Sequence, residues 1–473
     1  MGKLPRIGII GFSDGDTEVH QQLAPIVQAQ VDAIVNAVKI KGTFEIIEAS
    51  SLVHSVSLAK EMAMEMVKQE VDGVIFSFGV FSFPNFSAVA AETWGGPILL
   101  AAPLYPDWPG MVSMLASGGA LNQLGIKHFR VAGEVKDAAV FSKFEDFAKC
   151  SHVVSSLRGS VYGLIGGRSL GMYSATVSMQ DWQKKFGVDV EHIDQSEILR
   201  LAEEVSEEEV LKGFDWLTKY VGEIKYDGKQ LTPEKLKTQI RHYMATKRLI
   251  KERKLDFIGV KCHYEMSRHY CTECLSAAFL NDPYDWDGKK EPCVCACEAD
   301  GDAALTMQIL KLLDNKPVIF MDVRHWDAKN NVMVFCNCGS ESTYYATGTD
   351  DFKENLKQVT LYPALPIYAG GGCHVNLMTA PGKVTIARLC RSNGRYRMTM
   401  FLSDLVTLPR EVMKETTEEW PHVFARLPFD HEIFLAKFDA NHAHAIYGDH
   451  LDQLKMICEM LDVDIDLLGE EKK

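Results

Sequence analysis

The chain has 473 residues, 47% of them apolar and 24% charged, which at about 150 residues per domain suits a globular protein of roughly three domains. Its net charge of −14 comes with no long basic run, and no uninterrupted apolar run reaches the roughly 18 residues of a membrane span. These features argue against nucleic acid and membrane as main partners and point to a small solute. A first strand expected within about five residues of the N-terminus leaves no room for a signal peptide, so a cytoplasmic location is expected.

Residues 6–150 alternate strand and helix patterns, with strands expected over 6–12, 44–48, 73–78, 97–102 and 130–133 and helical spacing over 19–39. That is a doubly wound α/β layout. Gly8, Gly11 and Gly15 lack the G-x-G-x-x-G spacing of a dinucleotide loop, and Asp14 and Asp16 would set carboxylates beside a pyrophosphate. A turn before an N-capped helix is the plainer reading. The loops of this region are aromatic: 78–86 with Phe81, then Trp94, then Tyr105 and Trp108. Such rings pack on a sugar face, on another subunit or within their own domain.

The pattern restarts after Arg158 with a strand at 161–165 and a Gly-rich turn at Gly166, Gly167 and Arg168. A strand at 188–193, helices over 196–221 and 232–254, and a strand at 257–262 predict a second α/β domain. After Asp322, β-rich runs at 331–338, 383–389 and 396–402, separated by glycine and proline turns, predict a largely antiparallel region closed by a helix over 450–461. The expected fold is α/β, with two doubly wound α/β domains (1–157 and 158–315) followed by a β-rich C-terminal domain (316–473).

Of twelve cysteines, Cys293, Cys295 and Cys297 alternate along an expected strand, as Cys336 and Cys338 do, which suits small apolar packers. A C-x-C on a strand does not make the C-x2-C knuckle of structural zinc. A zinc site built on Cys271 and Cys274, or redox roles, are the alternatives.

Chemistry concentrates in 292–322. Two apolar runs there each end in an acid, so Glu298 and Asp322 are expected at the carboxyl ends of two parallel strands joined by a crossover helix, the edge of an open sheet where ligands bind. His442, in a short polar interruption ahead of the final helix, is the third candidate. This O/O/N set suits Mn²⁺, Mg²⁺ or Co²⁺ better than closed zinc and leaves positions for substrate oxygens. Two carboxylates beside such a cation can move a proton between C1 and C2 of an open-chain sugar, which is aldose-ketose isomerisation. The same residues also fit plainer roles, Glu298 and Asp322 as caps or ion-pair partners and His442 as a turn cap, and His444 and His450 are rival ligands.

The blocks GGRSLGMYSATV (166–177), VEHIDQSEI (190–198), DWDGKKEPCVCACEADGDAALTM (285–307), FMDVRHW (320–326), NCGS (337–340), YAGGGCH (368–374) and DANHAHAIYGDH (439–450) resemble, in order and across essentially the whole chain, the L-fucose isomerase family and its shorter L-fucose isomerase-like branch. The resemblance implies that Glu298, Asp322 and His442 bind Mn²⁺ and that the two carboxylates shuttle protons in an enediol mechanism. It also implies a homo-oligomer, a hexamer first among the forms, in which the aromatic loop of the first domain, with Phe81 and Trp94, reaches a neighbour's site. Arg168, Lys261, His263, Asn337, Cys373, His374, Arg388 and Asn441 become the expected sugar contacts.

Two departures bear on the substrate: His263 stands where family members often carry Gln, and Cys373 where the larger enzymes carry an aromatic. The sugar is therefore expected to be a free hexose or pentose such as L-fucose, D-arabinose or the sulfonated hexose sulfoquinovose. Lys261, His263, Arg168, His374 and Arg388 suit an anionic tail; alternatively Arg168 and Arg388 pair with local carboxylates or carbonyls. A metal-dependent aldolase or epimerase, and a non-catalytic sugar-binding protein, are the other readings.

Overall fold

The computed structural model describes residues 3–104 and 107–469, so Tyr105 lies outside the described residues. They form two compact units, the chain through Ser156 together with Asp452–Asp462, and Leu157–Leu451 together with the stretch from Val463.

In the first unit a parallel sheet runs in the order Glu45–Glu48, Arg6–Phe12, Gly73–Phe78, Ile98–Ala102, Phe129–Ala132. Alternate residues feed two cores, Ile10, Phe12, Val74 and Phe76 on one face and Ile7, Ile9, Ile75 and Leu99 on the other. The helix Thr17–Lys41 starts where Asp16 accepts from the backbone N–H of Glu18 and Val19, at 3.0 and 3.1 Å, and stops at Gly42 with φ 65°. Among the described helices it alone is long and apolar enough to cross a membrane; here Val27, Val31, Ile34, Val35 and Val38 are buried against the fold. The late helix Leu451–Leu461 belongs with this unit, where Met456 and Met460 pack on the Ile7 core.

The second unit holds a parallel sheet in the order Cys295–Cys297, Phe257–Val260, Val161–Ile165, Asp189–Ile193. It also holds an antiparallel ring of Gly382–Ser392, His442–Tyr447, Ile319–Asp327, Val332–Cys336, His422–Arg426 and Arg395–Leu405, which closes where the last strand pairs back on the first. The ring is thus a small closed barrel. Asp464–Leu467 adds to it in parallel, beside Arg395–Leu405.

The two acids and His442 are placed differently from what their spacing predicts. Glu298 follows a strand of the parallel sheet, but Asp322 lies inside Ile319–Asp327, a barrel strand, so the two acids do not share a βαβ unit. The reason is the helix between them, Gly301–Asp314. Every residue from Gly301 to Lys311 is buried, because the helix packs on Phe257–Val260 and Cys295–Cys297 and also on Gly382–Ser392 and His442–Tyr447. A helix buried all round lies between two layers, and the chain leaves it into the second one. His442 likewise opens a buried barrel strand; it does not sit in a loop.

Candidate active site

Glu298 leaves the strand Cys295–Cys297 through a two-residue left-handed turn, with φ 59° at Glu298 and 52° at Ala299. Non-glycine residues adopt this conformation at a cost of about 1–3 kcal/mol each unless their surroundings hold them. Here the Ala299 N–H donates to Val260 O at 3.1 Å, and a Cβ on Gly259 would stand only 3.0 Å from Ala299 Cα, so glycine in the neighbouring strand makes room for the turn. The turn delivers Asp300 as the N-cap of Gly301–Asp314, accepting from Ala303 N–H at 3.1 Å.

Asp322 and His442 arrive by register. They are paired residues on adjacent antiparallel barrel strands, so their side chains share one face. His442 Nε2 lies 3.1 Å from Asp322 Oδ1 and 3.4 Å from Glu298 Oε2. Its Nδ1 is 2.7 Å from Asp300 Oδ2, which turns Nε2 toward the two carboxylates. Asn337 donates to the other Asp322 oxygen at 3.1 Å, and Asn441 Nδ2 is 3.0 Å from His442 Nε2. His263 Nε2 stands 3.9 Å from Glu298 Oε1, its ring beside Tyr368.

Burial works against charge on His442, but the carboxylates of Asp322, Asp300 and Glu298 outweigh it and push its pKa well above the ordinary histidine value. Burial would equally favour a neutral Asp300, yet the Arg388 guanidinium and His442 hold its carboxyl far below the usual range. Carboxylates that favour a proton on His442 also favour a cation that displaces it. Two carboxylate oxygens that each face one imidazole nitrogen, with the outer oxygen of Asp322 and the outer nitrogen of His442 already bonded, are a donor set of the kind a hard divalent ion takes.

Glu298 and Asp322 line a cavity of about 320 Å³ together with His263, Tyr264, Arg324, Cys336, Cys338, Tyr368 and Trp420, and with Leu170, Val323 and Ile367. Of the expected residues, Glu298, Asp322, His442, His263, Asn337 and Asn441 therefore come together. Others do not. Arg388 is 1% exposed and pairs with Asp300 at 2.9 and 3.2 Å, which is the local-carboxylate alternative. Lys261 Nζ pairs with Glu265 at 2.8 Å. Cys373 is fully buried, its thiol pushed up to about 12 by burial, among Leu275, Leu361 and Val375. His374, also fully buried, is pushed down to about 3 by burial, and its Nε2 accepts from Leu365 N–H at 3.2 Å. Arg168 is exposed, 6.0 Å from the Tyr173 ring. Phe81 and Trp94, expected at the site of a neighbouring subunit, belong to the first unit, where Trp94 Nε1 donates to Pro97 O at 3.0 Å. The rival ligands are engaged elsewhere: His444 Nε2 is 3.3 Å from Arg388 Nη1, and His450 Nε2 is 3.0 Å from Tyr447 O.

Sequence reasoning missed Asp300, Arg324, Tyr368 and Trp420. Asp300 carried a signal, an acid directly before a helix of small and apolar residues, and Tyr368 stands two residues ahead of a run of three glycines. All twelve cysteines are free thiols. A second group with ligand-type side chains, His242, Cys271 and Glu273, is buried elsewhere in this unit, with His242 Nδ1 2.7 Å from Glu273 Oε1 and 3.3 Å from Cys271 Sγ. Cys274 takes no part in it and donates to Cys338 O at 3.0 Å.

Two family models match the chain: the first N-terminal domain of L-fucose isomerase over residues 4–159 and its C-terminal domain over residues 335–468. Among curated proteins, the L-fucose isomerase of Bacteroides fragilis (strain YCH46) is 25% identical and that of Bacteroides thetaiotaomicron 26%, each match covering 98% of this chain and 93% of the relative. The L-fucose isomerase of Haemophilus influenzae (strain ATCC 51907) is 24% identical over 76% of this chain and 73% of its own length. With both ends of the chain matched by models of one family and nearly full-length relatives of one name, the chain belongs to the L-fucose isomerase family and is a sugar isomerase that interconverts an aldose and its ketose.

Proposed function

We propose that Glu298, Asp322 and His442 hold one divalent cation, Mn²⁺ by preference with Mg²⁺ or Co²⁺ as substitutes, and that a free hexose or pentose is isomerised in the cavity above them. The observation that carries this reading is the convergence on His442 Nε2 of two carboxylates from different sheets, 3.1 and 3.4 Å away, at the floor of a sugar-sized cavity. When bound, such a cation would act as a Lewis acid toward the sugar's oxygens and so acidify the neighbouring carbon-bound proton. Glu298 and Asp322 then take and return the proton between C1 and C2. Tyr368 and Trp420 offer faces for the sugar's C–H surface, and His263 orients a hydroxyl.

L-fucose and D-arabinose are the first neutral candidates, the former named by the relatives. Sulfoquinovose stays a candidate with a changed set of contacts. Of the five cations expected to meet its tail, His263 alone lines the cavity, and Arg324, not singled out before, stands at the wall over the Trp420 ring at 5.9 Å. The division at 157 and 315 is read functionally, with Glu298 supplied by the parallel sheet and Asp322 and His442 by the barrel. A homo-oligomer, hexameric by preference, with sites near subunit interfaces is supported by exposed apolar side chains along the cavity, Leu170 at 47% and Ile367 at 66%. A cytoplasmic location goes with this reading.

The test is proton-deuterium exchange at C2 across L-fucose, D-arabinose, L-arabinose and sulfoquinovose, with Mn²⁺ and after chelation. Metal-dependent exchange with ketose formation on one sugar supports the reading. Binding of Mn²⁺ with no exchange on any sugar would sink it and make aldol cleavage the next assay.

A further inference from the structure

We infer that Asp300 is a positioning residue for the cation, and that Arg388 acts through it, so that the short segment Glu298-Ala299-Asp300 controls two of the three ligands at once. The inference rests on the proposed triad and goes beyond it. Glu298 is a ligand in its own right; Asp300, two residues on, reaches His442 from behind.

Four contacts fix Asp300. It caps Gly301–Asp314 through Ala303 N–H at 3.1 Å, receives Arg388 Nη2 on both oxygens at 2.9 and 3.2 Å, and faces His442 Nδ1 at 2.7 Å. An ordinary N-cap needs the first of these and stands at the surface; this one is fully buried, as is Arg388 at 1% exposure. A carboxylate bonded to Nδ1–H holds the imidazole in the tautomer whose Nε2 lone pair is free, fixes the ring plane and makes Nε2 a stronger donor. Arg388 bonds Asp300 through Nη2 and reaches His444 Nε2 with Nη1 at 3.3 Å, so Asp300 has a fixed position and a fixed counter-ion.

The left-handed turn at Glu298 and Ala299 is what allows one segment to do both jobs. In an extended strand residues two apart point to the same face, side by side. The turn instead sends Glu298 into the cavity wall and Asp300 to the rear of His442.

The experiment is Mn²⁺ affinity of the full chain, read by electron paramagnetic resonance of free Mn²⁺, for the wild type, Glu298→Gln, Asp300→Asn and the double variant Asp300→Asn with Arg388→Met. The double variant is included because Asp300→Asn alone leaves Arg388 buried without its counter-ion and can fail to fold. Both Asp300 variants should bind Mn²⁺ about 10- to 100-fold more weakly. Isomerase kcat in the double variant should recover as Mn²⁺ is raised, which damage to the fold would not permit. If Glu298→Gln loses Mn²⁺ while the Asp300 variants bind like the wild type, or if excess Mn²⁺ fails to restore kcat, the positioning role is wrong and the triad stands. If Glu298→Gln itself binds like the wild type, the triad reading falls first.

Discussion

The two proposed acid-base groups are presented by opposite kinds of structure. Glu298 is held by a left-handed turn at the end of a parallel strand, whereas Asp322 sits within a barrel strand just ahead of a bulge between Val323 and His325, paired with His442 on one side and Cys336 on the other. The first depends on local backbone strain held by its neighbours, the second on long-range register. A catalytic centre built from both takes its placement from barrel register on one side and from one short segment on the other.

The largest effect should come from removing either acid. Glu298→Gln and Asp322→Asn should each lower C2 proton exchange by about 10³-fold, within the range known for general acid-base groups, with the sugar still bound. A variant that kept wild-type exchange would break the symmetry of roles assumed for the two sides. Asn337→Ala should cost about 10-fold in Mn²⁺ affinity or activity, since it frees the outer oxygen of Asp322 without touching register. Isothermal titration with Mn²⁺ and steady-state rates would read it.

On the strained side, Ala299→Val puts a β-branched residue at φ 52° in a fully buried position and should destabilise the chain by about 2 kcal/mol in urea unfolding. The matching change on the barrel side, Val334→Ile, adds one methylene to a buried position without a left-handed φ and should cost less than half of that. Equal costs would contradict the contrast drawn between them.

The last effect is one of pH. Burial raises the Glu341 carboxyl, beyond the barrel strand Val332–Cys336, to about 8 against one hydroxyl donor, Thr379 at 2.5 Å. The native chain therefore keeps a proton that the unfolded chain releases near the ordinary carboxylate value, so stability falls as pH rises from there toward 8. Glu341→Gln should flatten that fall, as read by urea midpoints at pH 5.5, 7 and 8.5 (chosen to span roughly this window); an unchanged slope would place the titration elsewhere.

Local pattern carried much of this. The five strands of the first sheet, the cap at Asp16 and the position of Glu298 just past a strand are all short-range features, and they were readable from alternation and turn residues. The partnership of Asp322 with His442 was not, because pairing between strands 120 residues apart is set by packing. The strand beginning at His442 was hidden for a related reason. His442 and His444 give it a polar face, which reads as a loop, yet that face is buried against Asp300 and Arg388. Arg388 misled in the same way, its cation belonging to a buried carboxylate.

The most direct test is a crystal of the chain grown with Mn²⁺ and measured for anomalous scattering. One peak within roughly 2.0–2.3 Å of Glu298, Asp322 and His442 Nε2 is the predicted result. A peak confined to His242, Cys271 and Glu273, or one that touches Asp322 and His442 while Glu298 stays apart, would contradict a centre shared between the turn and the barrel.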